Sequence, residues 1–156
     1  MNYRKMWLFQ SNPERYRLLE SLANPRLEED VWEVNQHKRE ICSGHIALIW
    51  QCGKMVNKGI YAVVDVTSNI QPLRDSPEST QYWIKPTDRN QILDRVRIHR
   101  ALNMGRRLLS EEELIAIPQF HIKNIFKIRR GTNFKVEGNE RDIILELLSR
   151  RFGYVP

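Results

Sequence analysis

The residues of this sequence best equipped to hold a ligand are its four tryptophans, Trp7, Trp32, Trp50 and Trp83, and a run of basic side chains. Two aromatic planes can sandwich a nucleobase, and stacking contributes roughly 1–3 kcal/mol per base. Arg and Lys hold phosphate through charge. The formal net charge is +6 and unevenly placed: residues 95–135 carry ten Lys and Arg against three Asp and Glu. The remainder of the chain is close to neutral. A basic tract beside paired tryptophans is what a pocket for an extruded base requires, with cations on the backbone and stacking plus edge hydrogen bonds on the base. A solvated basic face without a partner is the alternative that composition leaves standing.

Catalytic chemistry finds less support. Gly53-Lys54 lacks the earlier glycine and the following Ser or Thr of a phosphate loop. No serine sits in a nucleophile elbow. The acidic run Glu111 to Glu113 is explained by helix capping. His37, Cys42, His45 and Cys52 are spaced like no common zinc site, and nothing marks either cysteine as an activated thiol. His99 or His121 with a neighbouring carboxylate would serve a nucleic-acid-processing enzyme, yet no motif brings such a pair together. The expectation is a binding protein that needs neither catalysis, metal nor cofactor.

The elements that must position these residues follow from pattern. Met6 to Gln10 reads as a short buried strand. Ser11-Asn12-Pro13-Glu14 carries helix-start signals, and Tyr16, Leu18, Leu19 and Leu22 give one apolar face, predicting a helix to about Ala23, ended by Asn24-Pro25. Val31 to Val34 alternates as a half-buried strand does. His45 to Gln51 and Gly59 to Thr67 read as strands joined by a hairpin through Cys52–Lys58. Gln71 to Ser79 is a proline-punctuated loop, and Tyr82-Trp83-Ile84 a short strand stopped by Pro86. Arg95 to Leu102 reads as a strand with Val96, Ile98 and Arg100 on one side and Arg95, Arg97 and His99 facing water. Ser110 opens a short helix through Leu114 to Ile117. Lys123 to Arg129 is a strand or an extended loop. Asn139 caps a last helix with Ile143, Ile144, Leu147 and Leu148 as its buried stripe. Strands without regular helical crossovers argue against a parallel α/β sheet.

At 156 residues, 41% hydrophobic and 28% charged, the chain suits one globular domain spanning 1–156. No apolar run is long enough to cross a bilayer, the N-terminus lacks a secretory h-region, and two cysteines make no disulfide framework. These features predict a cytoplasmic protein with no membrane partner.

The order of several blocks resembles the EVE domain family. These are Trp7-Leu8-Phe9-Gln10-Ser11-Asn12-Pro13, Trp32-Glu33-Val34, Ile49-Trp50-Gln51-Cys52-Gly53-Lys54 with Gly59-Ile60-Tyr61-Ala62, and Ile128 to Val136 before the last helix. The resemblance runs from about Trp7 to Arg151. It implies an α+β, PUA-like curved or mixed β-barrel of five or six strands with two or three packed helices, related to YTH domains. It also implies a reader of modified bases in DNA or RNA, often the specificity module of a modification-dependent restriction system. An effector nuclease or NTPase is then an expected partner, and an RNA-modification-associated domain is the alternative. Residue by residue, Trp32 matches the first wall of an aromatic cage, Trp83 the second, and Asn12 a contact to the base edge. Arg130 falls at the phosphate-contacting turn. Ser11, Trp50 and Gln51 are further candidates for the base, and Arg129, Lys135, Arg106 and Arg107 for phosphate. Glu33 stands where YTH domains have a small polar residue, so N6-methyladenine, 5-methylcytosine and hydroxymethylcytosine all stay open.

Overall fold

The computed structural model describes residues 4–53, 57–118, 120 and 133–156. Its framework is one mixed sheet in which three long apolar runs lie side by side. β1 (Met6–Ser11) pairs parallel with β3 (Ile46–Gln51), and β3 pairs antiparallel with β4 (Gly59–Val66). These runs do not alternate polar with apolar because both faces of the sheet are covered. Met6, Leu8, Ile46, Leu48 and Trp50 enter one core with Leu114, Ile144 and Leu148. Trp7, Phe9, Ala47 and Ile49 enter a second core with Leu18, Leu22, Val34 and Ile41.

The remaining strands extend the sheet to both sides. β2 (Glu29–Glu33) pairs antiparallel with the long β6 (Leu93–Asn103), which continues onto β4. β8 (Asn133–Val136) pairs antiparallel with β1. Two short strands, β5 (Gln71–Leu73) and β7 (Leu109–Ser110), pair with β6 and β4. The path is β2-β6-β4-β3-β1-β8, giving eight strands among the described residues where the resemblance implied five or six. β5, in a segment read as loop, with β7 and β8 had no counterpart in the sequence reading; at three, two and four residues they are too short to carry a periodicity.

Backbone pairing leaves this curved sheet unclosed, and Asn133 bridges the gap between its ends. Its Oδ1 accepts from the backbone N–H groups of Asn35 and Gln36 at 2.8 and 3.3 Å, and its Nδ2 donates to the Glu33 carbonyl at 3.2 Å. The Asn133 N–H donates to Gln36 Oε1 at 3.1 Å. Asn133 is 1% exposed, so its side chain is shielded from water although Asn35 and Gln36 are exposed.

Among the described residues three α-helices pack outside. α1 is only Leu18–Leu22. The start signals before it are satisfied locally: Asn12 Oδ1 accepts from the Glu14 N–H, and its carbonyl accepts from Arg15 and Tyr16. That closes a turn, after which Tyr16 is drawn into an isolated bridge with Trp83. The helix therefore begins after the bridge. α2 (Glu111–Ile115) starts at Ser110, whose Oγ accepts from the Glu113 N–H as the capping box requires. α3 (Gly138–Phe152) buries Ile144 and Leu148, with Ile143 and Leu147 partly covered; Glu137 is its N-cap, with Asn139 already in the first turn. None of the helices is long and apolar enough to cross a membrane among the described residues.

Asn133→Ala would remove a partner from two part-buried N–H groups and one carbonyl, at about 1–3 kcal/mol each where water does not replace it. Urea denaturation should show a loss of at least about 2 kcal/mol. A loss below about 0.5 kcal/mol would mean that the two sheet ends are held by something else.

Candidate functional site

β6 carries the residues around which the site is assembled. Val96 lies opposite Trp32 on β2, and Asp30, two residues earlier on the same side of that strand, lies opposite Ile98. Arg100, further along β6, is 10% exposed and reaches two groups. It donates to the Ser21 carbonyl and Oγ near the end of α1, both at 2.8 Å, and its Nη2 lies 3.5 Å from Asp30 Oδ2. A cation on the last carbonyls of a helix also answers its dipole, although a helix this short has little. Ser21 Oγ accepts from the Tyr16 hydroxyl at 2.9 Å. Tyr16 in turn holds the segment bearing Trp83: the Arg17 N–H donates to the Tyr82 carbonyl at 2.9 Å and the Ile84 N–H to the Arg15 carbonyl at 2.9 Å. The expected strand at Tyr82–Ile84 is thus a short 3-10 helix (Thr80–Tyr82) followed by this bridge.

Between these elements lies a cavity of about 250 Å³. Trp32, Trp83, Ser11 and Asn12 all line it, together with Arg15, Asp30, Asp75 and Arg95. Trp32 is backed by Phe9, stacked at 6.2 Å between ring centroids and 15° between planes. Trp83 leans on Tyr16 at 4.8 Å, and the Arg15 guanidinium lies 5.9 Å from its ring centroid. Both tryptophans are half-buried, as side chains with one supported face and one face on a cavity should be.

The structure does not bring the other tryptophan or the glutamine to this cavity. Trp50 shares the parity of Ile46 and Leu48 along β3, which turns it into the core against α3, and it is 3% exposed. Gln51 is buried and absent from the lining. Among the phosphate candidates, Arg107 places its guanidinium 5.2 Å from the Phe152 ring centroid, Lys135 pairs with Glu40 and Glu137, and neither these two nor Arg106 lines the cavity. Arg129 and Arg130, with His121, lie outside the described residues. Arg15 is the exposed cation that does line the cavity, with Asp88 at 3.7 Å.

The pattern placed Arg95 facing water, and the structure corrects this: it is 2% exposed. The chain from Leu73 to Asp75 and Gln91 fold over it, so that Nη1 donates to the Leu73 and Gln91 carbonyls at 2.7 and 2.8 Å. Nη2 stands 3.1 Å from Asp75 Oδ1, with Asp75 itself 4% exposed. Arg95 and Arg100 therefore spend their charge inside, and the basic tract is less of a surface than its composition predicts.

His45 and Cys42 also meet, away from the cavity lining. His45 Nδ1 accepts from the Trp7 indole N–H at 2.9 Å, and its Nε2 lies 3.4 Å from Cys42 Sγ. Burial, with Lys5 and Arg4 nearby, lowers the His45 pKa. With Nδ1 held as an acceptor, the neutral ring carries its proton on Nε2 and donates toward sulfur, which is the wrong polarity for a base. Among the described residues no group of three or more His, Cys, Asp or Glu is arranged to hold a metal.

Asp30, Asp75, Arg95, Arg15 and Tyr16 were not singled out from sequence. The i, i+2 relation of Asp30 to Trp32 was a usable signal, since it puts both on one side of a strand. Asp75 and Arg95 are twenty positions apart in sequence, and their pairing carries no such signal.

Burial pushes the Asp30 carboxyl up to about 6, against hydrogen bonds from Val31 and Ser79 and the charge of Arg100. A carboxyl whose folded pKa is raised binds its proton more tightly in the native state, so its contribution to stability falls as pH rises from about 4 through 6. Between pH 5 and 7 the native protein should lose about 1 kcal/mol more than Asp30→Asn. Parallel pH profiles in urea denaturation would contradict the assignment.

The EVE domain family matches residues 5–147. Comparison with curated proteins finds no significant match. Solved structures do match in fold. A hypothetical protein from Leishmania major has a TM-score of 0.65 at 18% identity, covering 96% of this chain and 97% of that one. Human THYN1 protein, in complex with 5-methylcytosine containing DNA, has a TM-score of 0.61 at 20% identity, covering 92% and 96%. A Pseudomonas putida protein has a TM-score of 0.62 at 22% identity, covering 91% and 98%. With a match over nearly its whole length and the curved mixed sheet of its neighbours, the chain belongs to the EVE domain family.

Proposed function

We propose that this protein is a nucleic-acid reader that takes a modified base, flipped from its stack, into the cavity between Trp32 and Trp83. The observation that carries the reading is the pairing of two half-buried tryptophans with buried polar groups around one cavity. Aromatic walls supply stacking for any base, and the polar groups supply an edge to read. Family membership supports it, as does the human relative crystallised with 5-methylcytosine containing DNA. In this mechanism Trp32 and Trp83 hold the ring, Asn12 and Ser11 meet its edge, and Arg15 takes a flanking phosphate at the rim. Lys135, Arg106 and Arg107, with Arg129 and Arg130, are the further candidates for phosphate. A methyl group on the base adds apolar contact with the indoles.

The chain acts as a binding domain without catalysis of its own, in the cytoplasm. In a modification-dependent restriction system it would deliver specificity to an effector nuclease or NTPase that cuts.

The test is equilibrium binding of short fluorescent oligonucleotides, single-stranded and duplex. Each carries one unmodified, N6-methyladenine, 5-methylcytosine or hydroxymethylcytosine residue, at two salt concentrations. One modified base should be favoured by about 10- to 200-fold, the range a single methyl supports in an apolar pocket. Trp32→Ala should remove that preference while keeping the salt-dependent component, and Arg15→Ala should weaken all oligonucleotides alike and lower the salt slope by about one. Binding that ignores modification would leave only a basic surface.

A further inference from the structure

The charges around the cavity do not suit a polyanion as they stand. Asp30, Glu33 and Asp75 line it against Arg15 and Arg95. Glu33 follows Trp32 on β2, so its side chain alternates to the other face of the strand. Arg15 is exposed, with Asp88 at 3.7 Å. That leaves two buried carboxyls, Asp30 and Asp75, with one buried guanidinium, Arg95. Arg95 belongs to Asp75, at 3.1 Å. Each negative charge left near the ligand opposes an incoming phosphate backbone.

Asp30 is the carboxyl without a cation of its own on the cavity. Its side chain is 6% exposed and lies on the same side of β2 as Trp32. The groups that face it come from four places. From β2 itself, the Val31 N–H donates to Oδ1 at 2.8 Å. From β6, Arg100 stands 3.5 Å away and spends two hydrogen bonds on Ser21. From the segment that leads to Trp83, Ser79 contributes a hydrogen bond and Asp75 a repelling charge. From the turn after β1 comes Tyr16, kept neutral by burial, with its hydroxyl given to Ser21. These partners do not offset the loss of water, and the Asp30 carboxyl is pushed up to about 6.

In neutral solution Asp30 is therefore ionised in a cavity that is about to lose its water and meet a polyanion. Both changes disfavour the charged form further. Coupling is reciprocal: whatever the ligand adds to proton affinity, the proton adds to ligand affinity. We propose that nucleic-acid binding is coupled to uptake of one proton by Asp30, so that the protein holds its ligand more tightly in mildly acidic than in neutral solution. Protonation leaves Asp75 balanced by Arg95 and removes the one buried negative charge with no cation on the cavity. This coupling rests on the reader function proposed above and adds the regulation of its site.

The experiment is equilibrium binding of fluorescent duplexes carrying one 5-methylcytosine or one N6-methyladenine, from pH 5.5 to 8 at fixed ionic strength. Whichever duplex binds should do so about 5-fold more weakly at pH 7 than at pH 6, as a carboxyl that ionises at about 6 in the free protein requires. Asp30→Asn matches the neutral carboxyl in shape. It should change by less than about 2-fold over the same interval and bind more tightly than the native protein at pH 7. A merely structural role would instead weaken that variant at every pH. His37, His45 and His99 do not line the cavity, and any contribution from them persists in the variant. Should the variant not fold, calorimetry on the native protein at pH 6.5 decides. Titrations in PIPES and in imidazole, which differ in ionisation heat, should report uptake of at least about half a proton per duplex bound. Binding without pH dependence, release of a proton, or a variant that keeps the native slope would overturn the coupling and leave the reader function standing. No binding of either duplex at any pH would overturn both.

Discussion

The Arg100 guanidinium ties together parts of the chain that local structure would leave apart. It joins β6 to the end of α1 through Ser21 and to β2 through Asp30. Ser21 holds Tyr16, and Tyr16 bridges to Trp83. Trp32 is on β2, already in register with β6. The two tryptophans lie fifty-one residues apart in sequence and are referred to the same strand by this network. Burying charges is expensive, and breaking such a cluster by removing one member generally costs more than the pair contributes to stability. The network is better understood as a device for position than for stability. Desolvation raises the Asp30 carboxyl and lowers the Arg100 pKa, which is the strain of holding charges there.

A cavity lined by desolvated donors has a consequence for binding. Groups already removed from water and fixed in place lose little on meeting a ligand, so the cost of ordering them was met during folding. The same groups penalise a ligand that cannot answer them, because the unmade bond is charged against the complex. Apolar walls give affinity to any flat ring, and the polar edge decides which ring stays. In the proposed reading Trp32 backed by Phe9 and Trp83 backed by Tyr16 would serve the first half of that division, and Ser11 and Asn12 the second.

Much of the framework was legible in the residues. β1, β3 and β4 are continuous apolar runs, and a sheet covered on both faces demands that pattern. The capping box at Ser110 and the stripe on α3 are local signals and fixed their helices to within a few residues. The site was only half legible. Trp32 and Trp83 line one cavity, but Trp50 does not, and its parity with Ile46 and Leu48 held that information. Arg95 was misread as water-facing because alternation assumes nothing folds over the exposed side; the chain from Leu73 to Asp75 does. The helix-start signals at Ser11–Glu14 closed a turn instead, because the Tyr16 bridge to Trp83 outweighs the propensity of the next few residues. For Arg95 and for the Ser11–Glu14 turn the deciding contact is long-range, and one sequence carries no trace of it.

The central claim is that a base leaves its stack and enters the cavity. It is tested most directly by placing 2-aminopurine next to a modified base in a duplex and following its fluorescence during titration. Extrusion unstacks the neighbour, so the account predicts a rise that saturates with binding and disappears in Trp32→Ala and Trp83→Ala. Saturating binding to the modified duplex with no change in 2-aminopurine fluorescence would contradict it, since the base would then be read within the helix and the cavity would serve some other ligand.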